Sequence, residues 1–134
     1  EIQQDYNIII IIDTLQALAL FAEEMKMTSP EINHKGYLKI VKGKHPILWK
    51  TLKDSGRIKE LVPLEFVLGD SFTGIIITGS NTGGKTVALK TVGIIQLMAL
   101  VGMHVPADEG TTLPFIHKVI ADIGDEQSIE ESLS

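Results

Sequence analysis

The stretch Gly74-Ile75-Ile76-Ile77-Thr78-Gly79-Ser80-Asn81-Thr82-Gly83-Gly84-Lys85-Thr86 decides how this chain reads. Three isoleucines in a row predict a strand buried on both faces. The glycine-rich turn that follows opens a second apolar segment of helical period, in which Val87, Ala88, Thr91, Ile94, Ile95, Met98 and Val101 mark a buried stripe. Gly102 is placed to end that helix. The turn itself fits G-x-x-x-x-G-K-[ST], and chance supplies that pattern in a chain this long in roughly half a per cent of cases. The flanking strand and helix are the context that gives the pattern meaning.

The residue types match a chemistry. Glycines at 79, 83 and 84 let the main chain wrap closely round an anion in conformations a side chain forbids. Consecutive N–H groups of Ser80, Asn81, Thr82, Gly83, Gly84, Lys85 and Thr86 would converge on phosphate oxygens, helped by the positive end of the helix starting at Lys85. The Lys85 ammonium would reach the β- and γ-phosphates and act in catalysis, and the Thr86 hydroxyl would ligate Mg²⁺. ATP and Mg²⁺ are thus the expected ligands. The bland alternative is a glycine-rich strand–helix turn with an incidental lysine.

Outward from this loop, the rest of the chain is simpler. Residues 2–27 predict a long helix: Ile8, Ile11, Leu15, Leu18 and Ala22 recur at helical spacing, and some 25 residues without Gly or Pro exceed any ordinary strand. Pro30 stops it. Its apolar surface is broad, which predicts packing against something outside this sequence. Tyr37, Leu38, Ile40 and Val41 predict a short strand between the turn residues Gly36 and Gly43. Residues 49–60 read as polar and mobile. Residues 61–68 contain Pro63 and read as an edge strand or loop. Val105-Pro106-Ala107 and residues 115–121 read as further strands joined by the Asp108-Glu109-Gly110 turn.

Composition bounds the function. The 134 residues carry 12 Lys+Arg against 17 Asp+Glu, a net charge of −5. This length fits one domain, and the acidic balance gives no overall electrostatic footprint for a phosphate backbone. The absence of cysteine removes disulfides, thiolate metal sites and cysteine nucleophiles. The longest unbroken apolar run, residues 8–12, is far short of the ~20 residues of a membrane span. The first residue is Glu, which reads as a piece of a longer protein.

The remaining chemical candidates are weaker. His45, beside Pro46, reads as a structural turn residue, and His104 and His117 as packing residues. Asp125-Glu126 imitates a Walker B pair, but that motif needs several apolar residues directly before the acids, and only Ile123-Gly124 precedes them. Gln127 reads either as a polar ligand near the nucleotide or as a solvated loop residue. The acidic residues 125, 126, 130 and 131 read as a solvated face.

Residues 76–86 together resemble the nucleotide-binding loop of MutS proteins. Lys44-His45-Pro46, Gly102-Met103-His104-Val105-Pro106-Ala107 and residues 120–130 are similar too, and the Asp122-Ile123-Gly124-Asp125-Glu126-Gln127-Ser128-Ile129 run points to the second bacterial branch, the MutS-two proteins. The resemblance implies an α/β fold: a partial P-loop NTPase domain of the ABC-ATPase type, residues 31–134, preceded by a long helix from the end of the clamp or lever region, residues 1–30. It implies adenine contact at Leu61 and Val62, a Q-loop role for Gln127, and a signature serine at Ser134 that reaches the nucleotide of a second subunit. Ser80 stands where the family usually has Pro. The resemblance further implies a cytoplasmic homodimeric ATPase acting on DNA, in suppressing recombination, or on collided ribosomes, through regions outside this chain and not on a membrane. It puts the true Walker B pair and a nuclease domain beyond Ser134. A P-loop kinase or GTPase, or a non-catalytic module stabilised by nucleotide, are the competing classes. The former would need a lid with arginines, and Arg57 is the sequence's one arginine.

Overall fold

The computed structural model describes residues 2–79 and 84–123. The chain opens with helix α1, Ile2–Met25. It ends where Lys26 turns left-handed, at φ 52°. The N–H of Met27 donates to Ala22 (2.8 Å) and that of Lys26 to Glu23 (3.1 Å), which closes the exposed carbonyls of the last turn. Most of α1 stands in solvent: Ile8 to Ile12 are 46–63% exposed. Only its C-terminal end meets the body, through buried Met25 and an ion pair from Glu24 to Lys53 (2.9 Å).

Four short strands form a mixed sheet in the order β1-β4-β2-β3. They are β1 (Glu31–Asn33), β2 (Leu38–Gly43), β3 (Leu64–Leu68) and β4 (Thr112–Pro114). β1 runs parallel to β4, while β2 is antiparallel to both its neighbours. β2 forms where the sequence placed a strand, and its alternation buries Leu38 and Ile40 on one face. A register shift follows Ile40, at left-handed Lys42. Gly43 ends the strand against the core: a Cβ there would lie 2.5 Å from Ile40 Cγ2 and 3.0 Å from Ile95 Cδ1. β3 is an edge strand and begins just after Pro63, as the ring's missing N–H requires.

The core is small. Leu38 and Ile40 from β2, Leu113 from β4, and Val105 and Ala107 from the preceding segment close on Ile95 and Met98 of helix α3, Lys85–Leu100. Met27, Phe66 and Leu68 extend it. Residues 28–31 are stitched to this core by paired bonds between Thr28 and Val105 and by the Thr28 hydroxyl donating to the Ala107 carbonyl (2.8 Å).

The structure corrects several expectations. Residues 74–78 form no strand, and Ile75, Ile76 and Ile77 are 40%, 90% and 37% exposed. An apolar run shows that a segment gains from burial, but a central strand also needs neighbours on both edges, and the described residues supply none. Residues 115–121 are not a strand either, and residues 105–107 contribute only the Thr28–Val105 bridge. The strand lies between them, at β4, where the chain faces β1 and β2 together. Residues 49–60 are not mobile coil. They belong to helix α2, Pro46–Asp54, and a 3-10 turn, Ile58–Glu60. Pro46 opens α2 and left-handed Gly56 closes it, with the Arg57 N–H donating to Leu52 (2.7 Å). His104 and His117 are exposed rather than packed.

Candidate functional site

Helix α3 carries the site. It is anchored on the sheet by Ile95 and Met98, and by Gln96, whose Nε2 donates to the Pro114 carbonyl (2.9 Å). Thr91 is buried and bonds back to Val87 (2.6 Å). The helix ends in a paired cap: the Gly102 N–H donates to Ala99 and the Met103 N–H to Met98, with Gly102 at φ 80°. The buried stripe is narrower than its sequence suggests, since Val87 and Val101 are 41% and 73% exposed.

At the other end, Gly84 is the N-cap, left-handed at φ 78°. It has no side chain to offer the first-turn N–H groups. Helix hydrogen bonding starts with the Ala88 N–H donating to the Gly84 carbonyl (2.9 Å). Gly79 also lies in a region closed to side chains, at φ 143°. The Lys85 ammonium donates to the Gly79 carbonyl, so the two ends of the motif meet through its lysine. Thr86 is exposed in the first turn beside it. Ser80, Asn81, Thr82 and Gly83 lie outside the described residues, as do Asp125, Glu126, Gln127 and Ser134.

Leu61 is half-buried after the 3-10 turn, and Val62 is 86% exposed. Neither lines the cleft of about 890 Å³ that runs along α3. That cleft is mostly apolar, with Phe21, Phe66, Leu89, Met98 and Ile120 among its walls, and His45 enters it. His45 does stand at a turn, as the N-cap of α2, accepting from the Trp49 N–H (2.9 Å). Its imidazole is less expected. Nδ1 is buried without a partner among the described residues, and burial, then the charge of Lys90, holds its pKa below the ordinary value. The spacing from His45 to Lys90 gave no sign of this meeting, because α3 makes it through tertiary packing.

Among the described residues no group of three or more His, Asp or Glu could hold a metal. A first-turn hydroxyl such as that of Thr86 is an oxygen donor of the kind a hard cation takes.

Comparison with known proteins now meets this geometry. Residues 75–134 match the family model for MutS domain V, a match that begins in the isoleucine run and takes in the whole loop. Over its whole length the chain is similar to MutS2 proteins. It is 47% identical over 133 residues to an endonuclease MutS2 of Clostridium botulinum (strain Langeland), covering 99% of this chain. It is 44% identical over 134 residues to an endonuclease MutS2 of Bacillus velezensis. The chain spans 16% of the length of these relatives. Among the described residues no helix is long and apolar enough to cross a membrane.

Proposed function

We propose that this chain is the ATP-binding part of a MutS-two ATPase, with residues 31–134 as the beginning of the ABC-type ATPase domain and residues 1–30 as a helix leading into it. The observation that carries the reading is the Lys85 ammonium folded onto the Gly79 carbonyl, with the glycine-capped start of α3 directly beneath. On this reading a β- or γ-phosphate gains from both the cation and the first-turn N–H groups. Lys85 holds the phosphate charge and Thr86 holds the metal. Mg²⁺, when bound, neutralises the triphosphate and orients it. Leu61 and Val62 take the adenine, and Gln127 and Ser134 belong to the completed site, Ser134 acting across a homodimer. The cytoplasmic parent couples this ATP cycle to DNA or to collided ribosomes.

The kinase or GTPase alternative needs a mobile arginine. Arg57, the sequence's one arginine, instead pairs with Glu60 through two bonds of 2.7 and 2.6 Å. Titration of the chain with a fluorescent ATP analogue tests the proposal. Lys85→Ala should weaken binding at least tenfold in a protein whose circular dichroism is unchanged. Unchanged affinity in that folded variant would remove the site.

A further inference from the structure

The end of the sheet away from β3 carries a feature that ATP binding does not use. Asn33 closes β1 and organises the loop after it. Its Oδ1 accepts from the N–H groups of Lys35 (2.9 Å) and Tyr37 (3.3 Å), and its Nδ2 donates to the Tyr37 carbonyl (2.6 Å). Its main-chain carbonyl accepts from the N–H of Phe115 (2.7 Å), just past β4. These bonds bring three rings together in solvent. His34 lies 5.5 Å from Phe115 at a tilt of 47°, and His117 stands edge-on to Phe115 at 5.7 Å. All three are exposed, Phe115 by 53%. Lys35 follows His34 and Lys118 follows His117; both are exposed, and no ion pair engages either among the described residues.

An exposed phenyl held this firmly gains the fold little, because its faces still meet water. An exposed π-surface whose two histidine neighbours are each followed by an exposed lysine is instead matched by a flat ring carrying a nearby negative charge. Unpaired nucleotides have that combination, and a duplex hides the base faces that would be needed. An acidic peptide would use the lysines and leave the rings idle. We propose that the His34–Phe115–His117 cluster, with Lys35 and Lys118 beside it, is a contact site for single-stranded nucleic acid. The base stacks on Phe115, and adjacent phosphates meet the two lysines. The net charge of −5 opposes long-range attraction, so the contact rests on stacking and is weak.

The test is fluorescence anisotropy of labelled oligothymidylate and oligouridylate of about twelve nucleotides, titrated with the full chain without ATP or Mg²⁺. Binding is expected for at least one of them. Phe115→Ala should weaken it about tenfold and Phe115→Trp should restore it. Lys35→Ala with Lys118→Ala, two exposed sites that leave the fold alone, should remove a salt dependence of about −1.4 in log K against log salt. Absence of binding to either strand, or equal binding by wild type and Phe115→Ala, overturns the proposal. Displacement of the strand by excess ATP would put it at the phosphate loop and overturn it too. The titrations without ATP leave open whether the phosphate loop binds ATP, so failure of this proposal and failure of the ATP reading are distinguishable.

Discussion

At the scale of single residues, position on α3 separates the two polar side chains of the proposed ATP site. The Lys85 ammonium donates to the Gly79 carbonyl, whereas Thr86 is exposed in the first turn. Thr86→Ala should therefore weaken ATP binding in the presence of Mg²⁺ and change metal-free binding little. Titrations with and without chelator check this, and equal losses in both would show that the hydroxyl is no metal ligand. His45 makes a second prediction. Burial and Lys90 lower its folded pKa below 6.5, so the unfolded chain takes up its proton first as pH falls. Its stabilising share is complete above about pH 7 and is lost as pH drops through 6.5 towards the folded value. Urea unfolding at pH 7.5 and 5.5 should show a loss in wild type that His45→Gln reduces. An identical loss in both proteins would assign it to other groups.

At the scale of elements, α3 links the sheet to the phosphate loop, and Gln96 is its polar anchor. The side chain is 3% exposed, and its bond to the Pro114 carbonyl fixes α3 against β4. Gln96→Leu leaves that carbonyl without its donor and should cost about 1–2 kcal/mol in denaturant unfolding. A stability equal to wild type would mean that the apolar contacts of Ile95 and Met98 hold the helix unaided. Helix α1 presents the opposite case. Its isoleucines face water on nearly every side, so its helical form follows from local propensity and its packing surface remains exposed.

At the scale of the whole molecule, binding and hydrolysis separate. The proposed phosphate loop is residues 79–86, and the proposed reading puts the acidic pair that activates water outside this sequence. Asp125 and Glu126 follow too short an apolar run to read as a Walker B pair. The 134-residue chain should therefore release phosphate negligibly even where it binds ATP. Robust turnover that Glu126→Gln abolishes would make Glu126 the base and would overturn the reading of residues 124–134.

Much of this was legible from local pattern, for a physical reason. Helices α1 and α3 declare themselves because their hydrogen bonds are internal, and an unbroken stretch with end signals suffices to form them. α2 had such signals in Pro46 and Gly56, but its polar composition masked them. Strands depend on partners elsewhere in the chain. The sequence by itself determined the long helices, β2 and the motif at the start of α3, and it left residues 61–68 as an edge strand or a loop. Only the tertiary structure decided that residues 74–78 stay outside the sheet, that β4 lies at Thr112–Pro114, that His45 meets Lys90, and that Phe115 stands between two exposed histidines. Each of those outcomes is a contact between residues distant in sequence, and a residue's own chemistry states what contact it gains from without stating which partner supplies it.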